Sequence, residues 1–301
     1  MAKDRRNRGS SFLPALLALV TAAILLLTLL PGPDSAPEPI ITDPPTTTTE
    51  PPTDPPTDPP TDPPTDPPTD PPTDPPTEPP TEPYGPEDFT YGPDGYLTCT
   101  AGESILGIDV SFYQGDIDWS RVKAAGVEFV MIRLGFRGYG QSGVLVLDDR
   151  GEEYYHGATA AGLKVGVYFF SQAISVEEAR EEAQFVLDAL EDWTLEMPLV
   201  YDWEYISQDA RTAHVDRRLL TDCALAFCQE VEQAGYTPMI YFNPSNTQST
   251  PYLEELTAYR WWLAKHDGRM DYHLWVDMWQ YSNQGTVPGI DAAVDLNLWF
   301  P

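Results

Sequence analysis

The chain has 301 residues, of which 32 are proline, and its 47 acids against 17 Lys and Arg give a formal net charge of −30. Residues 31 to 90 carry 14 acids and no base, and residues 105 to 301 carry 30 acids against 13 bases, so the C-terminal part alone retains −17. A surface this acidic argues against nucleic acid and anionic lipid as partners of the folded region. Proline is concentrated before residue 90 and regular hydrophobic periodicity begins near Ile105, which leaves about 200 residues, enough for one sizeable core.

Residues 1–11 read as a basic cytoplasmic tail, with Lys3, Arg5, Arg6 and Arg8 preceding an uncharged run over 12–30 that contains nine leucines. As a helix that run would extend about 28 Å, enough to cross a hydrocarbon core, and its basic flank would stay inside. A cleaved signal peptide is the rival reading, but the run is longer than the usual apolar stretch of such peptides, and no clear Ala-x-Ala site follows. The expectation is a single-pass membrane anchor with the rest of the chain outside the cell; secretion after cleavage is the alternative.

Residues 31–103 read as an extended Pro/Thr/Asp-rich linker. From Pro51 to Glu82 it consists of eight tandem tetrapeptides, six of Pro-Pro-Thr-Asp and two of Pro-Pro-Thr-Glu. Such repeats bury no apolar surface, their prolines restrict φ, and their acids repel, so residues 43–83 are expected to form a disordered polyproline II stalk of roughly 130 Å.

Residues 104–301 alternate strand-like and helix-like segments. The predicted strands are 104–110, 128–134, 164–170, 199–203, 238–242, 261–264, 277–281 and 292–297. Predicted helices cover 119–125 and 152–161, each ending before a glycine, then Ser175 to about Leu190 behind a Ser175/Glu178 capping box, and Asp216 to Ala234 before Gly235. This alternation predicts an α/β fold with a mainly parallel sheet, and eight strands suggest closure into an irregular TIM-like β/α barrel with helices sparse in its C-terminal half. Cys223 and Cys228 lie five apart among apolar residues of the last helix and read as small buried side chains, whereas Cys99, in the linker, is a candidate for an intermolecular bridge in an otherwise monomeric protein.

The strand Leu199-Val-Tyr-Asp-Trp-Glu-Tyr205 places Asp202 and Glu204 on one face and Tyr201, Trp203 and Tyr205 on the other, with the two carboxylates roughly 6 to 7 Å apart at Cβ. An isolated Asp-x-Glu is usually a pair of solvated loop acids. Here Asp109 of Gly-Ile-Asp-Val-Ser and Asp295 of Ala-Val-Asp-Leu-Asn also interrupt apolar strands, and the C-terminal ends of barrel strands are where chemistry collects. Crowding of like charges raises the pKa of at least one member, as a general acid requires. No histidine lies in these motifs, and His156, His214, His266 and His273 show no metal-ligand spacing, so they read as surface residues and neither metal nor cofactor is expected. Tyr168, Tyr241, Trp279 and Tyr281 lie near strand ends, where they could line a cleft or serve as core packing.

Taken in order, Gly107-Ile-Asp-Val-Ser111 with Gln114, Gly166-Val-Tyr-Phe-Phe170, Tyr201-Asp-Trp-Glu204, Trp279-Gln-Tyr-Ser282, Gly289-Ile and Val294-Asp-Leu-Asn297 resemble glycoside hydrolase family 25, the Chalaropsis-type lysozymes, over about residues 105–299. The resemblance implies an irregular β/α barrel that hydrolyses the β-1,4 bond between N-acetylmuramic acid and N-acetylglucosamine in peptidoglycan. It implies Glu204 as proton donor, Asp202 as its partner, and Asp109 and Asp295 as supporting groups; on that reading Tyr168, Tyr241, Trp279, Tyr281 and Gln114 are candidate substrate contacts, the aromatics able to stack on sugar rings. Phe169 departs from the pattern, since family members often carry histidine there, and no polar role is expected at that position. The spacing leaves three roles open for Asp202: nucleophile, activator of water, or positioner of a substrate 2-acetamido group. Two other readings are a peptidoglycan-binding module with weak turnover and a hydrolase of another N-acetylhexosamine polymer.

Overall fold

The computed structural model describes residues 83–190 and 192–301. The basic tail, the anchor at 12–30 and the tetrapeptide repeats lie outside the described residues. Among the described residues no helix is long and apolar enough to cross a membrane.

All eight predicted strands are present, as β3 (Ile105–Val110), β4 (Phe129–Arg137), β6 (Lys164–Ser171), β7 (Leu199–Trp203), β8 (Pro238–Phe242), β9 (Arg260–Ala264), β10 (Met278–Gly285) and β11 (Val294–Trp299). They pair in the order β3-β4-β6-β7-β8-β9-β10-β11, and β11 pairs back onto β3, so the sheet closes into a barrel. A further strand, β5 (Leu145–Leu147), extends the sheet antiparallel to the end of β4. Helices α1 (Trp119–Ala124), α2 (Gly151–Ala160), α3 (Val176–Ala189) and α4 (Arg217–Gln233) occupy the first half, and only 3₁₀ turns follow β8 among the described residues. Asp118, Ser175 and Asp216 cap the starts of α1, α3 and α4 by accepting a backbone N–H three residues on. Gly126, Gly162 and Gly235, at positive φ, follow the ends of α1, α2 and α4. Only half of the expected capping box forms on α3, because the Glu178 carboxylate accepts from Ile174 N–H and Arg211 instead of the Ser175 amide.

Alternation along each strand sorts residues between two cores. Outward-facing side chains such as Val130, Val167, Tyr201 and Ile240 pack beneath the helices and loops. Inward-facing Phe129, Met131, Val200, Met239, Trp262 and Met278 fill the barrel. A Cβ at Gly107 would lie 2.2 Å from the Phe129 ring, so glycine in the first motif makes room for the interior aromatic. Above this apolar layer the inward positions turn polar: Asp109, Arg133, Tyr168, Asp202, Tyr241 and Gln280.

Two sequence expectations need correction. The last strand is antiparallel to both neighbours, so Asp295 reaches the upper rim from the start of β11 and not from its C-terminal end. Only eight residues separate β10 from β11, which suffices for a hairpin but not for the crossover that a parallel partner needs. The linker boundary also moves. Residues 89–91 and 97–99 form a two-stranded hairpin, β1 and β2, with Tyr96 and Leu97 buried in the outer core. Tyr84 and Phe89 pack on Trp275, Trp279 and Phe300. These apolar side chains have a surface to bury against, unlike the repeats before them.

Candidate active site

Asp202 points up the barrel axis from the end of β7 and is 6 % exposed, while Glu204, one residue past the strand, is partly exposed at the mouth of a cleft. Asp109 arrives from β3 and Asp295 from β11, and the four acids meet around a cleft of about 800 Å³ including its open mouth. Asp109 Oδ2 accepts from the Gln280 and Asn297 amides, each at 2.8 Å. Those amides are themselves oriented: Tyr241 donates to Gln280 Oε1 at 3.1 Å, His266 Nε2 lies 2.7 Å from the same oxygen, and Trp262 Nε1 donates to Asn297 Oδ1 at 2.9 Å. Asp202 Oδ1 is buried and has no hydrogen-bond partner among the described residues. A buried carboxylate oxygen left free in this way is an acceptor available to a ligand.

Burial pushes the Glu204 carboxyl up to about 7, and the charge of Asp109 adds to the shift. Burial, then Glu204 and Asp109, raise Asp202 well above the ordinary carboxylate range, opposed by Arg133. Asp295 is pushed up to about 9 by burial and by the charge of the Asp109 carboxylate that faces it. Repulsion within the pair is thus real for Asp202, but desolvation is the larger cause throughout, because the site lies inside a barrel and not on an open sheet edge.

Of the aromatic residues expected at the substrate, Tyr168 and Tyr241 line the cleft. Trp279 and Tyr281 do not. They flank Gln280 on β10 and so face outward, where Trp279 Nε1 donates to Lys265 O and Tyr281 OH accepts the Leu97 amide. Gln114 is likewise structural: its Oε1 accepts from Ser111 N–H and its Nε2 donates to Ala293 O, tying the loop after β3 to the β10–β11 turn. Cys223 and Cys228 are buried and unpaired.

Several cleft residues were not read from the sequence. Arg133 lines the cleft, held by Asp148 at 2.7 Å; its signal was a lone charge inside the apolar run Phe129–Leu134. His266 belongs to the cleft and not to the general surface, and Gln280 and Asn297, within the Trp279–Ser282 and Val294–Asn297 motifs, hold Asp109. Among the described residues no group of three or more His, Cys, Asp or Glu could hold a metal ion.

A family model for glycosyl hydrolases family 25 matches residues 108–290. The autolytic lysozyme of Clostridium acetobutylicum is 27 % identical over 195 residues, covering 64 % of this chain and 55 % of that protein, so the chain spans about half the length of this relative. Lysozyme M1 of Streptomyces globisporus is 26 % identical over 225 residues, covering 71 % of each. Among solved structures, the bacterial lysozyme from Streptomyces coelicolor superposes with a TM-score of 0.53 at 26 % identity, covering 65 % of this chain and 91 % of that one.

Proposed function

Because the chain belongs to glycosyl hydrolases family 25, we propose that it is a lysozyme-type muramidase cleaving the β-1,4 bond between N-acetylmuramic acid and N-acetylglucosamine in peptidoglycan. The observation that carries this reading is the pair Asp202 and Glu204 at the end of one strand, with Glu204 raised to about 7 in the cleft. A carboxyl titrating there is protonated often enough near neutral pH to donate to a glycosidic oxygen and acidic enough to do so readily. Glu204 is the proton donor. Asp202 supplies the second carboxyl that glycoside hydrolysis requires, and its unpartnered Oδ1 suits the N–H of a substrate 2-acetamido group. That contact would orient the acetamido oxygen toward the anomeric carbon. Asp109 and Asp295 hold the floor of the cleft, with Tyr168 and Tyr241 against the sugar.

The same reading extends to the cell. The apolar run at 12–30 behind basic residues supports a membrane anchor, and the proline-rich repeats support a stalk that holds the domain, acting as a monomer, in the wall outside. A bridge through Cys99 has less support, because that residue is partly buried beside Tyr84.

Mass spectrometry of products released from purified peptidoglycan tests the activity. Fragments with muramic acid at the reducing end are expected. Fragments ending in reducing glucosamine, or binding without release, would overturn it.

A further inference from the structure

Glu204 stands one residue beyond the sheet. The ladder of β7 with β6 ends at Trp203 and that with β8 ends at Asp202, so strand pairing does not hold the residue proposed as the acid. Two side chains take over, and both grip the single peptide unit that joins Glu204 to Tyr205. Gln172, which follows β6, donates its Nε2 to Glu204 O at 2.6 Å. Ser249, in the loop after β8, accepts the Tyr205 N–H on its Oγ at 2.9 Å. Gln172 is fully buried and Ser249 is 3 % exposed, so water does not compete for either bond.

Gln172 is itself fixed from several directions. Its Nε2 also donates to Ser171 O at 2.8 Å, and its Oε1 accepts from Thr212 Oγ1 at 3.3 Å. Its backbone carbonyl accepts from Arg211 Nη1, and the same guanidinium pairs with Glu178 at 2.6 Å. The loop that leaves Glu204 is thereby pinned back, through Arg211 and Thr212, onto the residue that holds Glu204. Packing alone does not explain a buried glutamine here, because an apolar side chain of the same volume would fill the space without desolvating an amide.

We infer that Gln172 and Ser249 are positioning residues for the acid: by holding both ends of the 204–205 peptide they aim the Glu204 carboxyl into the cleft beside Asp202. The inference rests on the proposed role of Glu204. Gln172→Met preserves the volume and removes the donor, and Ser249→Ala, a smaller change, removes the acceptor; the second decides the matter if the first does not fold. Each variant should lower kcat by roughly ten- to a hundredfold, as misplacement of a reacting group by an ångström does, while KM changes by no more than about twofold. The double variant should lose less than the product of the two, because both bonds hold one peptide. The second readout is independent of turnover: a ¹³C carboxyl titration of Glu204, identified by its disappearance in Glu204→Gln, should move toward the ordinary carboxylate range in each variant. Folded variants with wild-type kcat and an unmoved titration would overturn the inference. A shifted titration in a protein whose wild type releases nothing from peptidoglycan would uphold the clamp and refute the proposed activity.

Discussion

Asp295 and Asp109 stand directly opposite each other across the antiparallel β11–β3 pair, both turned into the barrel. Two like charges in that relation would repel. Burial and the Asp109 charge both favour the protonated form of Asp295, while Asp109 is the acceptor into which Gln280 and Asn297 donate. The floor of the cleft is therefore a pair of facing acids framed by amides, and its cohesion depends on pH.

Asp295→Asn keeps a donor toward Asp109 and removes the titration. In the folded protein Asp295 is raised to about 9, far above its unfolded value, so its contribution to stability is complete below the ordinary carboxylate range and is lost as pH rises to about 9. Thermal melts should therefore show wild type and variant nearly equal near pH 4 and the variant increasingly the more stable toward pH 9. Curves that stay parallel across that range would show that Asp295 does not hold its proton.

Glu204→Gln should retain the fold and lower turnover by about 10²- to 10⁴-fold, since the amide cannot donate the proton. The acid form is the active one, and with the carboxyl at about 7 the wild-type rate should decline on the alkaline side of neutrality. The pH–rate profile and a melting curve on the same preparations check both points. Activity within a few-fold of wild type would remove Glu204 from its role.

The Arg137 side chain, 4 % exposed, ties β4 to α3: it pairs with Glu182 and Glu181, each at 2.7 Å, and donates to Gly143 O and Glu178 O. Glu182 is fully buried, and burial lifts its carboxyl to about 7 even though Ser171 and Arg137 pull it down. Arg137→Met should destabilise the protein by about 3 to 5 kcal/mol, because it strands a buried carboxyl and two carbonyls. Glu182→Gln, which keeps a polar partner for Arg137, should cost less. Urea unfolding of the two variants gives the comparison, and an Arg137→Met midpoint equal to wild type would contradict it.

If Asp202 orients the substrate acetamido group, hydrolysis retains the β configuration, and turnover is lost on a glycan de-N-acetylated at muramic acid. If Asp202 activates water on the opposite face, the product is the α anomer. Proton NMR of a fresh digest, read before mutarotation, separates the two routes. A first-formed α anomer would exclude the acetamido route, and retention with an undiminished rate on the de-N-acetylated glycan would point to a covalent Asp202 intermediate.

With residues 1–30 intact, the protein should fractionate with membranes and its domain should be accessible to protease from outside. Culture medium holding most of the protein, with a new N-terminus between residues 31 and 45, would replace the anchor with a cleaved signal.

Residue alternation determined much of this molecule by itself. The period of two along Leu199–Tyr205 put Asp202 and Glu204 on one common face before any strand had a partner, because side-chain direction within a strand is a local property of the backbone. Helix ends were legible for the same reason: a cap or a positive-φ glycine acts within one turn. Tertiary structure decided what depends on closure. On β10, with Trp279, Gln280 and Tyr281 in succession, local pattern does not say which parity faces the axis, and hydrophobicity favoured the aromatics. The barrel turned Gln280 inward, to a partner 171 residues away, and brought Asn297 to the same carboxylate across 188 residues. The direction of β11 was also hidden, because it is set by the length of the connection and by which strands remain to be paired, not by the residues of the strand. The raised pKa values followed only in part from the two neighbouring acids; their larger cause, desolvation, exists once eight strands surround the site and exclude water.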